Sequence, residues 1–484
     1  MSKLNVPISQ TLAAFAATLR LSDVPAPVVE RAKLHILDSL GVAMASSTED
    51  FAHRIVTGIS GIGGQHGGYP VLGFACSLPM RDAVLANGAL VHGIDFDDTH
   101  ATGVLHASSS ALPMALAAAQ SVGGGGEEVL LAYLIAVETA SRIAAAAKSG
   151  FHVNGFHPTG MVAPFGAVLG IGRLWGLTAP QMAQAQGVVL SMASGSFEFL
   201  EDGAWNKRLH PGWAVGAAIT ACALARSGFV GATRAYEGRY GLFNAYLGKD
   251  HVPDLDTCTA GLGSTWEMLK VSLKPYPVCH YNHAFVDAAL ALRNTYGIRP
   301  EDIESVNAFI GKDQIGIVCE PQANKRRPQN TYDARFSLPF ALAAVLVRGR
   351  MTMDEIADEV IGDPAVLQLC DRTRYTIDPE SAFPKYYSGT LEIRLKDGRT
   401  LRHTERVNRG HPENPLSRED IIDKFRSTAS RALSGDKLQQ VIETTLSLER
   451  QSSVLDFLGP LVAHPLDEVR QVVCGPATSP TRAN

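Results

Sequence analysis

Fifteen histidines are spread unevenly along this 484-residue chain, and the places where they crowd are the places where it could move protons. His92, His100 and His106 fall in one short stretch, VHGIDFDDTHATGVLHASSS, together with Asp95, Asp97 and Asp98. His152 and His157 stand in GFHVNGFHPTG, His210 follows Asn206-Lys207-Arg208-Leu209, and His280 and His283 close LKPYPVCHYNH. Imidazole titrates near pH 6.5 when unperturbed, so it can give or take a proton near neutrality. Each segment interrupts a helix-like run with Gly, Pro or Ser, as loops carrying a site on a rigid scaffold do.

The acidic stretch has three readings. Three carboxylates within four positions repel one another, so solvent or cationic partners must relieve them. A solvated acidic loop or helix cap would satisfy that. Metal binding is the sharper alternative, since Asp and His supply oxygen and nitrogen ligands. However, DFDDTH has neither HExxH spacing nor a calcium-loop pattern, and no metal is expected. The third reading is a catalytic pocket that also contains cations. Lys207, Arg208, His210 and Lys274 are flanked by Trp205, Leu209, Trp213 and Tyr276. A cation beside large apolar groups is partly desolvated and pulls harder on an anion. Lys and Arg stems also cover apolar surface with no function. Both lysines together, with His157 and His280 in similar Gly/Pro-framed segments, favour a pocket for a polycarboxylate. Nucleophile signals are weaker: no GxSxG elbow occurs, and Cys279 reads as a small buried hydrophobe. Gly58–Tyr69 (GISGIGGQHGGY) lacks the GxxxxGK[ST] phosphate-loop pattern and reads as a plain loop.

The elements that must hold these residues are mostly helical. Apolar periodicity predicts helices over Val28–Ala45, Ala83–Gly93, Ala111–Val122, Val129–Ala147, Gly160–Leu174, Pro180–Ala193 and Ala214–Ser227. Several carry small residues on every side, which lets helix axes approach closely. The pattern then changes. Ile303–Ile310 alternates like a strand, and Thr390–Leu395 and Thr400–Val407 flank an Asp397-Gly398 hairpin turn, with a helix expected over Phe336–Val347. Helical spacing returns at Ser417–Thr428, Leu438–Leu448 and Val454–Leu458. The expected fold is mainly α. A large all-α domain (1–272 and 409–475) is joined by a smaller α+β domain (273–408) inserted before the C-terminal helices, and the tail 476–484 frays.

Composition bounds the partners. Forty-three Lys+Arg against 48 Asp+Glu leave no basic excess for a nucleic-acid backbone. Seven scattered cysteines without a CxxC pair fit a reducing compartment. The N-terminal stretch is amphipathic and has no continuous apolar run of the signal-peptide kind, and the most apolar windows, such as Met161–Trp175, are too short to span a bilayer. A cytoplasmic enzyme without nucleic-acid or membrane partners is expected.

Six motifs in order, HGIDFDDTH with a following LHAS, GFHPTG, KRLHPGWAVGAA, AYEGRYGLF, AGLGSTW and KPYPVCHYNH, resemble the MmgE/PrpD superfamily. That family includes 2-methylcitrate dehydratase, cis-aconitate decarboxylase and iminodisuccinate epimerase. The resemblance runs from about Val28 to Arg406 and implies a homodimer and cofactor-independent chemistry on small di- or tricarboxylates. Carried over by position, it makes Asp95, Thr99, His106 and His157 the catalytic group. Lys207 and Lys274, with His280, Arg208 and His100, become the substrate-binding group. In this assignment the two lysines bind substrate carboxylates, His106 and His157 move protons, Asp95 orients a histidine, and Thr99 hydrogen-bonds the substrate. The leading expectation is a hydro-lyase acting on a citrate-like acid such as 2-methylcitrate. A cis-aconitate-type decarboxylase and an epimerase of an amino-dicarboxylate are the alternatives. A non-catalytic helical scaffold is the rival from another class, and a scaffold has no use for both lysines and both histidines.

Overall fold

The computed structural model describes residues 6–63, 67–383, 385–462 and 464–465. Its first half is a packed set of helices. Ala26–Ser47, Met80–His92, Ser108–Ser121, Gly126–Ala146, Pro158–Leu174, Ala179–Val189 and His210–Arg226 follow the expected spans within a few residues. Their Ala- and Gly-rich faces let them pack at close range. Where Met80–His92 crosses His210–Arg226, a Cβ on Gly88 would lie 2.5 Å from the Cα of Gly212. Two helices open on His-Pro pairs: His157 caps Pro158–Leu174, and His210 begins His210–Arg226 with Pro211 behind it. Proline belongs in a first helical turn because the amide it lacks has no intrahelical partner there. The sequence pair thus fixes each imidazole at a helix start.

Gly126–Ala146 is long and apolar enough to cross a membrane, but 89% of its most apolar window is buried within the protein. Its two internal charges pair with each other, Arg142 Nε donating to Glu138 Oε1 at 2.6 Å. It packs as a central helix against Pro158–Leu174 and Ser108–Ser121.

The smaller part holds a four-stranded sheet in the order Thr373–Ile377, Ile303–Ile310, Gly389–Leu395, Thr400–Glu405. The first pair is parallel and the others antiparallel. His283–Tyr296 packs against the two strands of the Asp397-Gly398 hairpin, and Leu338–Arg348 packs against His283–Tyr296. The chain then returns to the helical part: Arg418–Ala429 lies along Ala26–Ser47, and Gly435–Leu446 contacts the same helix. The fold is mainly α with a smaller α+β part, as expected.

Two local readings change. Gly58–Gly63 continues the helix Asp50–Gly63 instead of forming a loop. Phe51, Ala52, Val56 and Ser60 bury one face of that helix at helical spacing, and this outweighs the low helix propensity of glycine. The strand Thr373–Ile377 was not expected; only Thr373 of its five residues is buried, so little alternation marks it. The expected frayed tail 476–484 lies outside the described residues.

Candidate active site

A cleft of about 670 Å³ opens between the helical part and the sheet-bearing part. Asp95, Thr99, His106, His157, Lys207, Lys274 and His280 all line it, although they come from four separate stretches of the chain. Local structure explains how. The acidic stretch leaves the helix Met80–His92 and turns sharply at Asp95, whose φ of 53° is left-handed. It then pairs Thr99–His100 antiparallel with Val271–Ser272, which brings Lys274 alongside. His100 and Leu105 exchange backbone hydrogen bonds of 2.7 and 3.2 Å, closing a tight turn that holds Val104 at φ 51°. A β-branched residue in the left-handed region is strained, and strain of this kind concentrates at functional sites. Both Asp95 and Val104 face the cleft.

The three carboxylates of DFDD are all buried, so the solvated-loop reading fails. Each finds different partners. Asp95 takes the two ammonium groups, Lys207 Nζ at 2.5 Å on Oδ1 and Lys274 Nζ at 3.2 Å on Oδ2; Lys274 also donates to the Asp95 carbonyl at 2.8 Å. Burial opposes ionisation of Asp95, but Lys207 and Lys274 together hold its carboxyl well below the usual carboxylate range. Asp97 takes two imidazoles through one oxygen. His92 Nδ1 lies 2.8 Å away, and His106 Nδ1 lies 3.2 Å away at a poor angle for a hydrogen bond. Burial opposes ionisation of Asp97 as well, and His106 and His92 hold it low. Asp98 accepts from the Ser108 backbone amide at 3.0 Å and from the Ser108 hydroxyl, and meets His35 Nδ1 at 2.7 Å. The carboxylate that meets the cleft-lining His106 is therefore Asp97. Asp95, assigned from the sequence to orient a histidine, is turned toward the lysines by its left-handed backbone.

The imidazoles form a second layer. His92 is stacked on His157 with ring centroids 5.5 Å apart, and His106 meets the His92 edge at 4.5 Å. Burial, with Lys207 adding to it, pushes His157 well below the ordinary histidine range; burial pushes His92 down to about 4. His157 Nδ1 meets His210 Nδ1 at 2.9 Å, while its Nε2 is buried without a partner. His280 Nε2 accepts from Asn408 Nδ2 at 2.9 Å, and burial pushes this ring down as well. Thr99 Oγ1 is buried, faces the cleft and makes no hydrogen bond. Burial pushes the Cys279 thiol up to about 11, leaving it a neutral wall of the cleft.

Two sequence-selected residues do not line the cleft. Arg208 donates Nε to Gly93 O at 2.7 Å, and its guanidinium lies over the rings of Phe51, Trp205 and Tyr332. His100 Nε2 meets Glu267 Oε2 at 2.9 Å, and its Nδ1 accepts from Gly103 N. The sequence reading missed Asp97, His92 and the apolar wall formed by Phe197, Phe199, Leu200, Ile317 and Phe336. Asp97 and His92 were visible in the quoted motif, but nothing in it says which of three aspartates faces which histidine. Among the described residues, two triplets could hold a metal ion, His92–His106–His157 and Asp95–Asp97–His106, each with ligand atoms within 4.8 Å of one another. In the second, the Asp95 oxygens are already taken by ammonium groups, which repel a cation.

The MmgE/PrpD N-terminal domain matches residues 10–254, and the MmgE/PrpD C-terminal domain matches residues 276–449. The chain belongs to the MmgE/PrpD family and is an enzyme of the lyase class. It is 27% identical to cis-aconitate decarboxylase of Mus musculus over 471 residues, covering 94% of each chain. It is 25% identical to cis-aconitate decarboxylase of Aspergillus terreus over 95% of this chain and 97% of that protein. A mitochondrial 2-methylcitrate dehydratase of Yarrowia lipolytica is 26% identical over 171 residues, 33% of this chain and 30% of that protein.

Proposed function

We propose that this protein is a carboxy-lyase that removes CO₂ from a small unsaturated tricarboxylate of the cis-aconitate type. The observation that carries the reading is the mixed lining of the cleft. Lys207, Lys274, Thr99 and the imidazoles share it with Phe197, Phe199, Leu200, Ile317 and Phe336, and the Lys207 ammonium lies over the Phe336 ring at 5.7 Å. Carboxylates held by the ammonium groups anchor the substrate. A carboxylate turned to the aromatic wall loses its hydration, which favours the charge-dispersed transition state of CO₂ loss. The C–C bond breaks, its electron pair stays on carbon, and the carbanion is stabilised by the nearby cations and by hydrogen-bond donors. A histidine then supplies the proton. His157 suits this step, since its unpartnered Nε2 belongs to a ring that lines the cleft. His106, oriented by Asp97, is the second proton-transfer group. The full-length similarity to decarboxylases, against a third of the chain for the dehydratase, supports this reaction over the hydro-lyase expected first.

The second reading, dehydration of a 2-methylcitrate-like acid, uses the same groups with His106 as base and His157 as acid. Turnover in D₂O followed by NMR separates the two. Decarboxylation of cis-aconitate should release CO₂ and leave one solvent deuterium on the product. Alkene formation from 2-methylcitrate without CO₂ would establish dehydration instead. No change in either substrate would end both readings.

A further inference from the structure

We propose that His210, which does not line the cleft, is a positioning and proton-carrying residue that connects His157 to solvent. The two imidazoles meet through like nitrogens, His157 Nδ1 and His210 Nδ1, 2.9 Å apart. At that distance one nitrogen carries a hydrogen and the other accepts it. The identity of the donor decides the chemistry on the far side of the ring. If His210 donates, a neutral His157 carries its own hydrogen on Nε2 and faces the cleft as an acid. If His157 donates, its Nε2 is a lone pair and it faces the cleft as a base. No other hydrogen bond fixes the choice, because His157 Nε2 is buried and unpartnered.

The placement of the two rings gives the shared hydrogen a direction. His157 is 2% exposed and lies with its ring 5.7 Å from that of Phe197, whereas His210 is half-buried at the start of the helix His210–Arg226. The His157 backbone amide is held by Gly195 O at 2.9 Å, so the buried ring keeps a fixed origin. Burial, with Lys207 adding to it, keeps both rings from charging, His210 being pushed down to about 4, so hydrogen passes along the pair without leaving a cation beside Lys207. This inference rests on the decarboxylase reading, in which each turnover consumes one solvent proton while substrate fills the cleft. The transfer balances. The His157 Nε2–H bond breaks as a C–H bond forms at the carbanion, the His210 Nδ1–H bond breaks as His157 Nδ1–H forms, and His210 Nε2 takes a proton from hydronium. Both rings end neutral in their other tautomers, and nothing is oxidised or reduced. After product leaves, a solvent proton reaching His157 Nε2 drives the hydrogens back along the same path, and His210 Nε2 gives up its proton.

The test is His210→Ala in the full chain, assayed for CO₂ release at low buffer concentration. Turnover should fall by about 10–100-fold with KM nearly unchanged, and added imidazole should restore most of it, while the wild type does not respond. Wild-type turnover in the variant, or a loss that imidazole does not rescue, would overturn the relay. If His210→Ala does not fold, His210→Asn keeps a hydrogen-bonding side chain that cannot pass a proton, and the same loss and rescue are expected. Failure of the decarboxylase reading shows separately, as absence of CO₂ from the wild type. In that case ¹⁵N spectra of the histidines still decide: one hydrogen shared between the two Nδ1 atoms is expected, and two Nδ1 atoms without one would refute the pair.

Discussion

Replacing Asp95 with asparagine tests the charge arrangement at the centre of the cleft. Asp95 and Lys274 are 3% and 1% exposed, and both lysines converge on the one carboxylate. At 2.5 and 3.2 Å and an effective dielectric of about 20, each pair attracts by about 5–7 kcal/mol before desolvation is counted. Removing one partner of a buried pair costs about 3–5 kcal/mol net, because the remaining charges stay buried without compensation. Asp95→Asn should therefore lower the free energy of urea unfolding at pH 7 by about that amount. The pH dependence has a definite sign. The folded Asp95 carboxyl is held below its unfolded value, so its contribution is complete above pH ~4 and is lost as pH falls further. The gap between wild type and variant should be widest near neutrality and close in acid. A polycarboxylate such as citrate should stabilise the variant by about 2.7 kcal/mol at a hundred times its Kd, and the wild type by less at the same concentration. It should also bind the variant more tightly, since Asp95 no longer competes for the lysines. An Asp95→Asn protein with wild-type unfolding, no change in acid slope and no response to citrate would refute the reasoning.

Three further outcomes can be checked directly. Asp97→Asn should lower kcat by about 10²–10⁴-fold with KM little changed, because His106 loses its orienting anion; steady-state kinetics at pH 7 reads this. His106→Ala should cost about 10²–10⁴-fold in turnover and leave the melting temperature close to wild type; loss of folding instead would mark His106 as a core histidine. Gly212→Ala places a Cβ 2.4 Å from Leu85 O on the facing helix, so thermal unfolding should show a loss of about 1–3 kcal/mol. Because Gly212 lies two residues beyond His210, CO₂ release should fall in that variant as well.

Much of the fold was legible because helix faces write their period directly into the sequence. Ile303–Ile310 and Val454–Leu458 end where the pattern ends. Thr373–Ile377 was hidden because it pairs at a sheet edge and buries little. The site was legible as a set of motifs but not as a geometry. Lys207 and Lys274 could be selected as cations near apolar groups, yet Arg208, with the same neighbours, is spent on three aromatic rings and a backbone carbonyl. Spacing could not separate them, since adjacent residues of a short 3₁₀ turn point in different directions.

The acidic motif shows why neighbours in sequence need not be neighbours in charge. Three carboxylates in four positions would be intolerable in one buried volume if they shared a face. The left-handed turn at Asp95 and the strand-like pairing at Thr99 point them three ways: to the lysines, to the His92–His106 pair and to the His35–Ser108 side. Each anion then does a separate task. Asp98 ties the loop to the scaffold, Asp97 meets two imidazoles, and Asp95 holds both ammonium groups together. A chain that grips an anion with buried cations must keep those cations together between turnovers. An internal carboxylate two positions from the histidine-orienting one achieves this, and under the proposed function substrate entry exchanges one anion for another.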